Sequence, residues 1–210
     1  MNATFIRAGP DRDVRTIMVA LAVDFPRNAG PPAAVDERCT RLVVTYQRRI
    51  FRFVYGMVSS EQLAEDLTQD VFLLAYRALV RLPADANESA WLFTIARNRT
   101  LQELRRRRIL RWVPLMGPRD DEDVHPDQSK PLADAVADRD ELRRAMKAVP
   151  PKDLACLLLS VDGHSYQEVA AITGLSTSAV RARIFRARER LRVLLSADQS
   201  PTLRPASIGV

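Results

Sequence analysis

The stretch that decides the fold of the second half of the chain is SYQEVAAITGLSTSAVRARI, residues 165–184. Ser165 is placed to cap a helix, and Glu168 follows three residues later, as a capping box requires. Gly174 stands where a tight turn between two helices often needs a left-handed backbone. A serine and a threonine after the glycine can cap a second helix. This stretch therefore predicts a helix-turn-helix.

The second of these helices continues as VRARIFRARERL, residues 180–191, and has two different faces. At about 100° per residue, Val180, Ile184, Ala187 and Leu191 form one apolar stripe. Phe185 lies on the opposite face among arginines. A DNA major groove would account for it, because arginine pairs with guanine and an aromatic ring can lie on thymine methyl groups. The side chains expected to meet DNA are Ser178, Arg181, Arg183, Phe185 and Arg186. The alternative interpretation is an ordinary helical hairpin with a solvated basic face.

Three helices are predicted in the first half of the chain. In the first, apolar residues recur with a helical period from Asp36 onwards. Ser59 is expected to cap the second helix, whose inward stripe would be Leu63, Leu67, Val71, Leu74 and Ala78. Its outward side would then expose Phe72, Leu73 and Tyr76 beside Asp66, Gln69 and Asp70. Such a patch is typical of a protein partner, although a helix buried on two sides of its own domain would look the same.

The third helix is expected from Ser89 to Trp112 and ends in a dense positive block. Arg105 to Arg108 and Arg111 place five arginines within seven residues. Basic residues at the end of a helix complement its dipole. Because five exceed that need, we expect this block to contact phosphates.

Composition excludes several classes of protein. The 210 residues carry a net charge of +6, which is compatible with an anionic partner. No apolar run reaches the roughly 18 residues of a membrane span, so a cytoplasmic protein is expected. Cys39 and Cys156 lack metal-ligand spacing and should be reduced, apolar residues. Neither histidine, His125 or His164, belongs to a catalytic or metal-binding pattern, so we expect no enzyme, metal or cofactor.

These observations predict an all-α protein with two small helical domains joined by a flexible linker. The expected divisions are a disordered extension (1–35), a first helical domain (36–113), an acidic proline-rich linker (114–134), a helix-turn-helix domain (135–196) and a disordered tail (197–210). Met18 could be the true start, because nothing before it demands structure.

Taken together, the motifs resemble those of bacterial extracytoplasmic-function (ECF) sigma factors. The resemblance covers about residues 40–195. It rests on Asp66-Leu67-x-Gln69-Asp70-x-Phe72, Trp91-Leu92-x-x-Ile95-Ala96-Arg97-Asn98, Val149-Pro150-Pro151, Gly163-x-Ser165-Tyr166-x-Glu168-Val169-Ala170 and the arginine-rich residues 180–191. Some positions depart from the family pattern, among them Asp70, Arg99, Gln102 and the loop ADANES, residues 84–89.

The resemblance implies a function in transcription initiation at the −35 and −10 promoter elements. By position, Asp66, Gln69, Asp70 and Phe72 would bind the clamp helices of core RNA polymerase. Residues expected near the −10 strand are Asn87, Asn98, Arg105 and Arg106. The helix-turn-helix domain would read the −35 duplex and touch the polymerase flap, and an anti-sigma factor is a further candidate partner.

Two other classes compete with this interpretation. One is an operator-binding regulator that dimerises through the Phe72 face. The other is an enzyme, such as a recombinase, that carries this DNA-binding end, but no catalytic constellation in the sequence supports it.

Overall fold

The computed structural model describes residues 33–112 and 133–198, and within these segments every regular element is an α-helix. The all-α prediction is therefore confirmed. The helices are α1 (Ala33–Val58), α2 (Glu61–Leu79), α3 (Glu88–Trp112), α4 (Ala133–Ala148), α5 (Pro151–Val161), α6 (Tyr166–Thr173) and α7 (Thr177–Asp198). Helix α1 begins at Ala33, so residues 33–35 do not belong to an unstructured extension. The expectations for residues 1–32, the body of the linker and the tail beyond Asp198 lie outside the described residues.

Helices α1 to α3 pack into the first helical unit. Its largest buried side chains come from all three helices, and they include Leu42, Ile50, Leu67, Phe72, Leu92 and Phe93. Each large apolar side chain removed from water contributes about 1.5–3 kcal/mol to the folded state. The arrangement therefore depends on the meeting of the three apolar faces.

The predicted inward stripe of α2 is confirmed for Leu67 and Val71, which are buried, but the prediction is wrong for Phe72 and Leu74. Phe72 is only 1% exposed, whereas Leu74, which was expected to face inward, is 41% exposed. Helix α2 packs on both α1 and α3, so its buried arc is wider than one stripe. The helix also starts one residue later than predicted. Ser60, not Ser59, is the N-cap. Ser59 lies in the short connection between α1 and α2 and has a φ of 55°.

The second unit confirms the predicted helix-turn-helix. The Ser165 hydroxyl accepts from the Glu168 N–H and the Glu168 carboxylate accepts from the Ser165 N–H, which completes the capping box at the start of α6. Gly174 ends α6 with a φ of 68°, in the left-handed region where glycine is favoured. The Ser176 hydroxyl then accepts from the Ala179 N–H at the start of α7. These local bonds set the turn between the two helices.

The two units pack directly on each other. Helix α1 contacts α4 and α5, and α3 contacts α6 and α5. Buried apolar residues of both units form one continuous cluster. It includes Cys39 of α1 and Cys156 of α5, which are both buried and free, in agreement with their predicted role as apolar residues. Burial raises the pKa of the Cys39 thiol to about 11 and also raises that of Cys156.

Candidate nucleic-acid interface

The outer face of α7 carries the side chains that the sequence assigned to DNA. Val180, Ile184 and Ala187 are buried against the rest of the second unit. The helix therefore turns Phe185 outward, where it is 66% exposed. The side chains of Ser178, Arg181, Ala182 and Arg186 are exposed as well. The predicted stripe is confirmed, and the face offers an aromatic ring between cations.

The arginines of this face differ in how far their donors are already paired within the protein. Asp153 of α5 is buried and accepts from Arg183 Nη1 at 2.6 Å and from Arg186 Nε at 3.2 Å. Arg183 is half-buried. Arg186 remains exposed although it contacts Asp153. Arg181 instead lies over the Tyr166 ring at 5.8 Å, which leaves its donors available. Sequence reasoning missed Asp153, because thirty residues separate it from Arg183.

The residues assigned to the polymerase on α2 do not form one surface. Asp66 and Gln69 are exposed, but Phe72 lies inside the three-helix core. Asp70 is half-buried and accepts from Arg99 Nη2 at 2.7 Å, so that it ties α2 to α3. The expectation of an exposed aromatic patch centred on Phe72 is wrong. The dimeric operator-binding alternative relied on that patch and loses its basis.

The arginine block at the end of α3 contains its own counter-charge. Glu103 is 3% exposed and accepts from Arg106 and Arg107, the closest pair at 2.6 Å. The hydrogen bond from Arg106, assisted by that from Arg107, lowers the pKa of Glu103 to about 2 against the opposing effect of burial. Arg105 and Arg108 are exposed. The block therefore remains strongly positive but is partly neutralised.

The residues assigned to the −10 strand are spread along α3, with Asn87 just before its start, Asn98 near its middle, and Arg105 and Arg106 in its second half. Asn87 caps the helix, because its Oδ1 accepts from the Ala90 N–H at 3.0 Å. Its neighbour Ser89 contacts the second unit through His164, with 3.2 Å between Ser89 Oγ and His164 Nε2. Asn98, which lies eleven residues after Asn87, is exposed and accepts from Arg97. Burial lowers the pKa of the Arg97 guanidinium, which lies on the side of α3 that faces Cys156 and Arg183.

No group of three or more potential metal ligands occurs in the described parts of the chain, residues 33–112 and 133–198. None of the helices in those same two segments is long and apolar enough to cross a membrane.

Comparisons with known proteins match both helical units. A family model described as Sigma-70 region 2 matches residues 42–109, and one described as Sigma-70, region 4 matches residues 139–191. The ECF RNA polymerase sigma factor SigE of Mycolicibacterium smegmatis is 32% identical over 79% of this chain. That alignment covers 64% of SigE, less than two thirds of its length. The RNA polymerase sigma factor NccH of Alcaligenes xylosoxydans xylosoxydans is 33% identical over 76% of this chain and 87% of NccH.

Solved structures show the same fold. The sigma factor RpoE of Bartonella quintana, in complex with the anti-sigma factor NepR, superimposes with a TM-score of 0.59 at 27% identity. The match covers 76% of this chain and 97% of RpoE. CnrH in complex with the cytosolic domain of CnrY has a TM-score of 0.58 at 24% identity and covers 90% of this chain and 99% of CnrH.

Proposed function

Given that the chain belongs to the ECF sigma factors, which bind core RNA polymerase and promoter DNA to initiate transcription, we propose that α7 is its reader of the −35 element. The observation that carries this proposal is Phe185, exposed between arginines on a helix whose other face is anchored in the core. Arg181 and Phe185 read bases in this arrangement. Arg186 mainly holds phosphate, and Arg183 supports it through their shared partner Asp153.

The test compares Arg181→Ala with Arg186→Ala on promoter and scrambled duplexes at several salt concentrations. The promoter is first mapped by run-off transcription with core polymerase. Arg181→Ala should cost about 1–3 kcal/mol on the promoter duplex and relax the preference at one position. Arg186→Ala should weaken binding to both duplexes alike and reduce the slope of log K against log salt by about one.

Two controls accompany this pair. Arg192→Ala removes an exposed arginine from the far end of α7, where it pairs with Glu189, and should change promoter preference little. Val180→Asp places an unpaired charge at a fully buried position and should unfold the unit instead. Equal losses on both duplexes for Arg181→Ala would remove its base-reading role.

We infer that the first unit supplies the −10 and clamp contacts. Asn87 and Asn98 lie along one exposed edge of α3, and Arg105 and Arg106 extend the positive charge of that helix. On α2, Asp66 and Gln69 are the exposed members of the clamp-binding set. Asp70 acts through its bridge to Arg99, and Phe72 acts by supporting the helix from inside.

The clamp assignment is tested by capture of core polymerase on immobilised variants. Asp66→Ala and Gln69→Ala should each weaken capture while the helical circular dichroism stays unchanged. The matched control is Glu61→Ala, because Glu61 is exposed at the start of the same helix. Full capture by both α2 variants would overturn this surface.

We further infer that an anti-sigma factor is a partner of this chain. We also infer that the second unit contacts the polymerase flap. Finally, we infer that the protein is cytoplasmic and has no catalytic activity. The solved RpoE relative at 27% identity is bound to NepR, which supports the first of these inferences. Co-purification of the chain with the product of an adjacent gene would test it.

A further inference from the structure

The contact between α5 and α7 inside the second unit depends on one buried carboxylate. Asp153 lies in the first turn of α5 and is 6% exposed. Its Oδ1 accepts from Arg183 Nη1 at 2.6 Å, and its Oδ2 accepts from Arg186 Nε at 3.2 Å. Each oxygen therefore holds one arginine, and residues three positions apart lie on one side of a helix. The two bonds together fix the rotation of α7 about its own axis relative to α5.

The place of Asp153 at the start of α5 does not account for these bonds. An acidic residue in the first turn of a helix interacts favourably with the helix dipole, and a side chain there can also cap the free N–H groups. The N-cap of α5 is Pro150, and no side chain makes a cap hydrogen bond at this end. Both carboxylate oxygens of Asp153 bind α7 instead. The dipole needs neither burial nor two arginine partners, so this carboxylate has a second role.

The surroundings of Asp153 are otherwise positive or neutral. Among the residues that the structure describes, it is the only carboxylate that pairs with Arg183 or Arg186. Cys156 of the same helix faces both arginines, but burial raises the pKa of its thiol, which stays protonated and uncharged. Arg97 of α3 faces this thiol as well and adds a further cation. The two arginines of α7 and their one carboxylate therefore carry a combined charge of +1 instead of +2.

The same two arginines border the face of α7 that is proposed to meet DNA. Arg186 follows Phe185 directly, and its side chain is 56% exposed, whereas that of Arg183 is 25% exposed. A DNA phosphate and a carboxylate compete for guanidinium donors, because both offer anionic oxygen acceptors. The donors that bind Asp153 are therefore withheld from phosphate. Phosphate contacts supply the part of the affinity that does not depend on sequence, so this pairing limits that part.

We propose that Asp153 is a positioning residue that sets the specificity of the −35 readout, because it competes with DNA phosphates for Arg183 and Arg186. It also holds α7 in the rotation that turns Arg181 and Phe185 towards the bases. Without its charge, every duplex would gain a phosphate contact, but only the promoter duplex would lose oriented base contacts. The inference rests on the proposed assignment of α7 to the −35 element.

The experiment measures binding of the full-length protein to the promoter −35 duplex and to a scrambled duplex at several salt concentrations. Asp153→Asn removes the negative charge with almost no change in shape. Asp140→Asn is the matched control, because Asp140 is exposed and pairs with Arg143 of its own helix, α4. It makes the same change in net charge outside the contact between α5 and α7. Circular dichroism of each variant establishes that the helices are intact.

Asp153→Asn should bind the scrambled duplex about three- to eightfold more tightly than wild type at about 0.1 M salt, the gain expected from one more phosphate contact. The slope of log K against log salt should steepen by about one. The ratio of promoter to scrambled affinity should fall about threefold or more, because the promoter duplex loses oriented base contacts while it gains the phosphate contact. Asp140→Asn should keep the wild-type slope and ratio.

A second pair of variants tests the charge balance directly. Arg183→Gln leaves Asp153 to pair with Arg186 alone, so the combined charge falls from +1 to zero and the slope should become shallower by about one. The double variant, Asp153→Asn with Arg183→Gln, returns the charge to +1 and should return the slope to the wild-type value. It also removes the half-buried arginine that Asp153→Asn leaves unpaired, so it keeps the test decisive if that single variant fails to fold.

Weaker binding of Asp153→Asn to both duplexes with an unchanged slope would overturn the proposal, and so would a double variant with the shallow slope of Arg183→Gln. The same gain in Asp140→Asn would overturn it too, since net charge alone would then explain the result. Arg181→Ala in the same assay separates this failure from that of the proposed function. If Arg181→Ala loses promoter preference while Asp153→Asn keeps the wild-type ratio and slope, α7 reads the −35 element and Asp153 does not set its specificity.

Discussion

Phe72 and Leu74 show how a single side chain can decide between two interpretations of a helix. Both residues are large and apolar, and they stand two positions apart, so helical spacing alone could place either one inward. The structure buries Phe72 among α1, α2 and α3 and leaves Leu74 at the surface. The sequence of α2 alone does not decide which of the two is buried, because the answer depends on which sides of α2 the other helices, α1 and α3, pack against.

The two residues should therefore differ strongly on truncation. Phe72→Ala should lower the free energy of unfolding by about 3–5 kcal/mol, because it leaves a cavity in the core. Leu74→Ala should change it by only about 0.5 kcal/mol. Urea denaturation followed by circular dichroism measures both. Similar losses for the two variants would mean that Phe72 is not the core residue described above.

Elements were predicted best where their signals are local. The helix-turn-helix followed from a capping box, a left-handed glycine and one apolar stripe, which all act within a few residues of each other. The range predicted for α3 differs from the observed one by a single residue at its start. The orientation of α2 and the partners of Asp70 and Asp153 depend on contacts between helices. No periodicity within one helix could reveal them.

Helix α3 should show a dependence on pH that comes from Glu103. Its folded pKa is about 2, below the value of about 4.3 for an unperturbed glutamate in the unfolded chain. Since the folded value is the lower one, the stabilisation is fully present above about pH 4.3 and is lost as the pH falls towards 2. Glu103→Gln should therefore lower the free energy of unfolding by about 1–3 kcal/mol at neutral pH.

Urea denaturation of Glu103→Gln between neutral pH and about pH 2 checks this expectation. The difference from wild type should shrink as the solution becomes acidic. Glu189→Gln is the matched control, because Glu189 pairs with Arg192 at a more exposed position of α7. A constant difference across the whole range would assign the loss to packing rather than to charge.

At the scale of the whole molecule, the sequence predicted the two units but not the way in which they pack against each other. The residues that join them are distant in the chain: 113 positions separate Arg49 from Asp162, and 75 separate Ser89 from His164. No pattern in the sequence around Gly56 indicates a role for this residue. Its role becomes visible only when Leu158 of the other unit lies against it.

One continuous core should make the chain unfold as a single cooperative unit. Differential scanning calorimetry of the wild type should give one transition, with equal calorimetric and van't Hoff enthalpies. Two resolved transitions would indicate that the units are energetically independent. Val44→Leu should preserve the single transition, since Val44 lies away from the shared core.

The reactivity of the two buried thiols, Cys39 and Cys156, reports local opening of the structure around them. A thiol attacks a disulfide reagent as its thiolate, and burial holds both Cys39 and Cys156 in the protonated form. Cys39 lies within the first unit, whereas Cys156 lies on the side of α5 that faces Arg97. The rate at which an aromatic disulfide reagent releases its coloured thiolate therefore measures how often each unit opens locally. The two thiols should give two kinetic phases. The measurement uses protein that carries no label and no substitution.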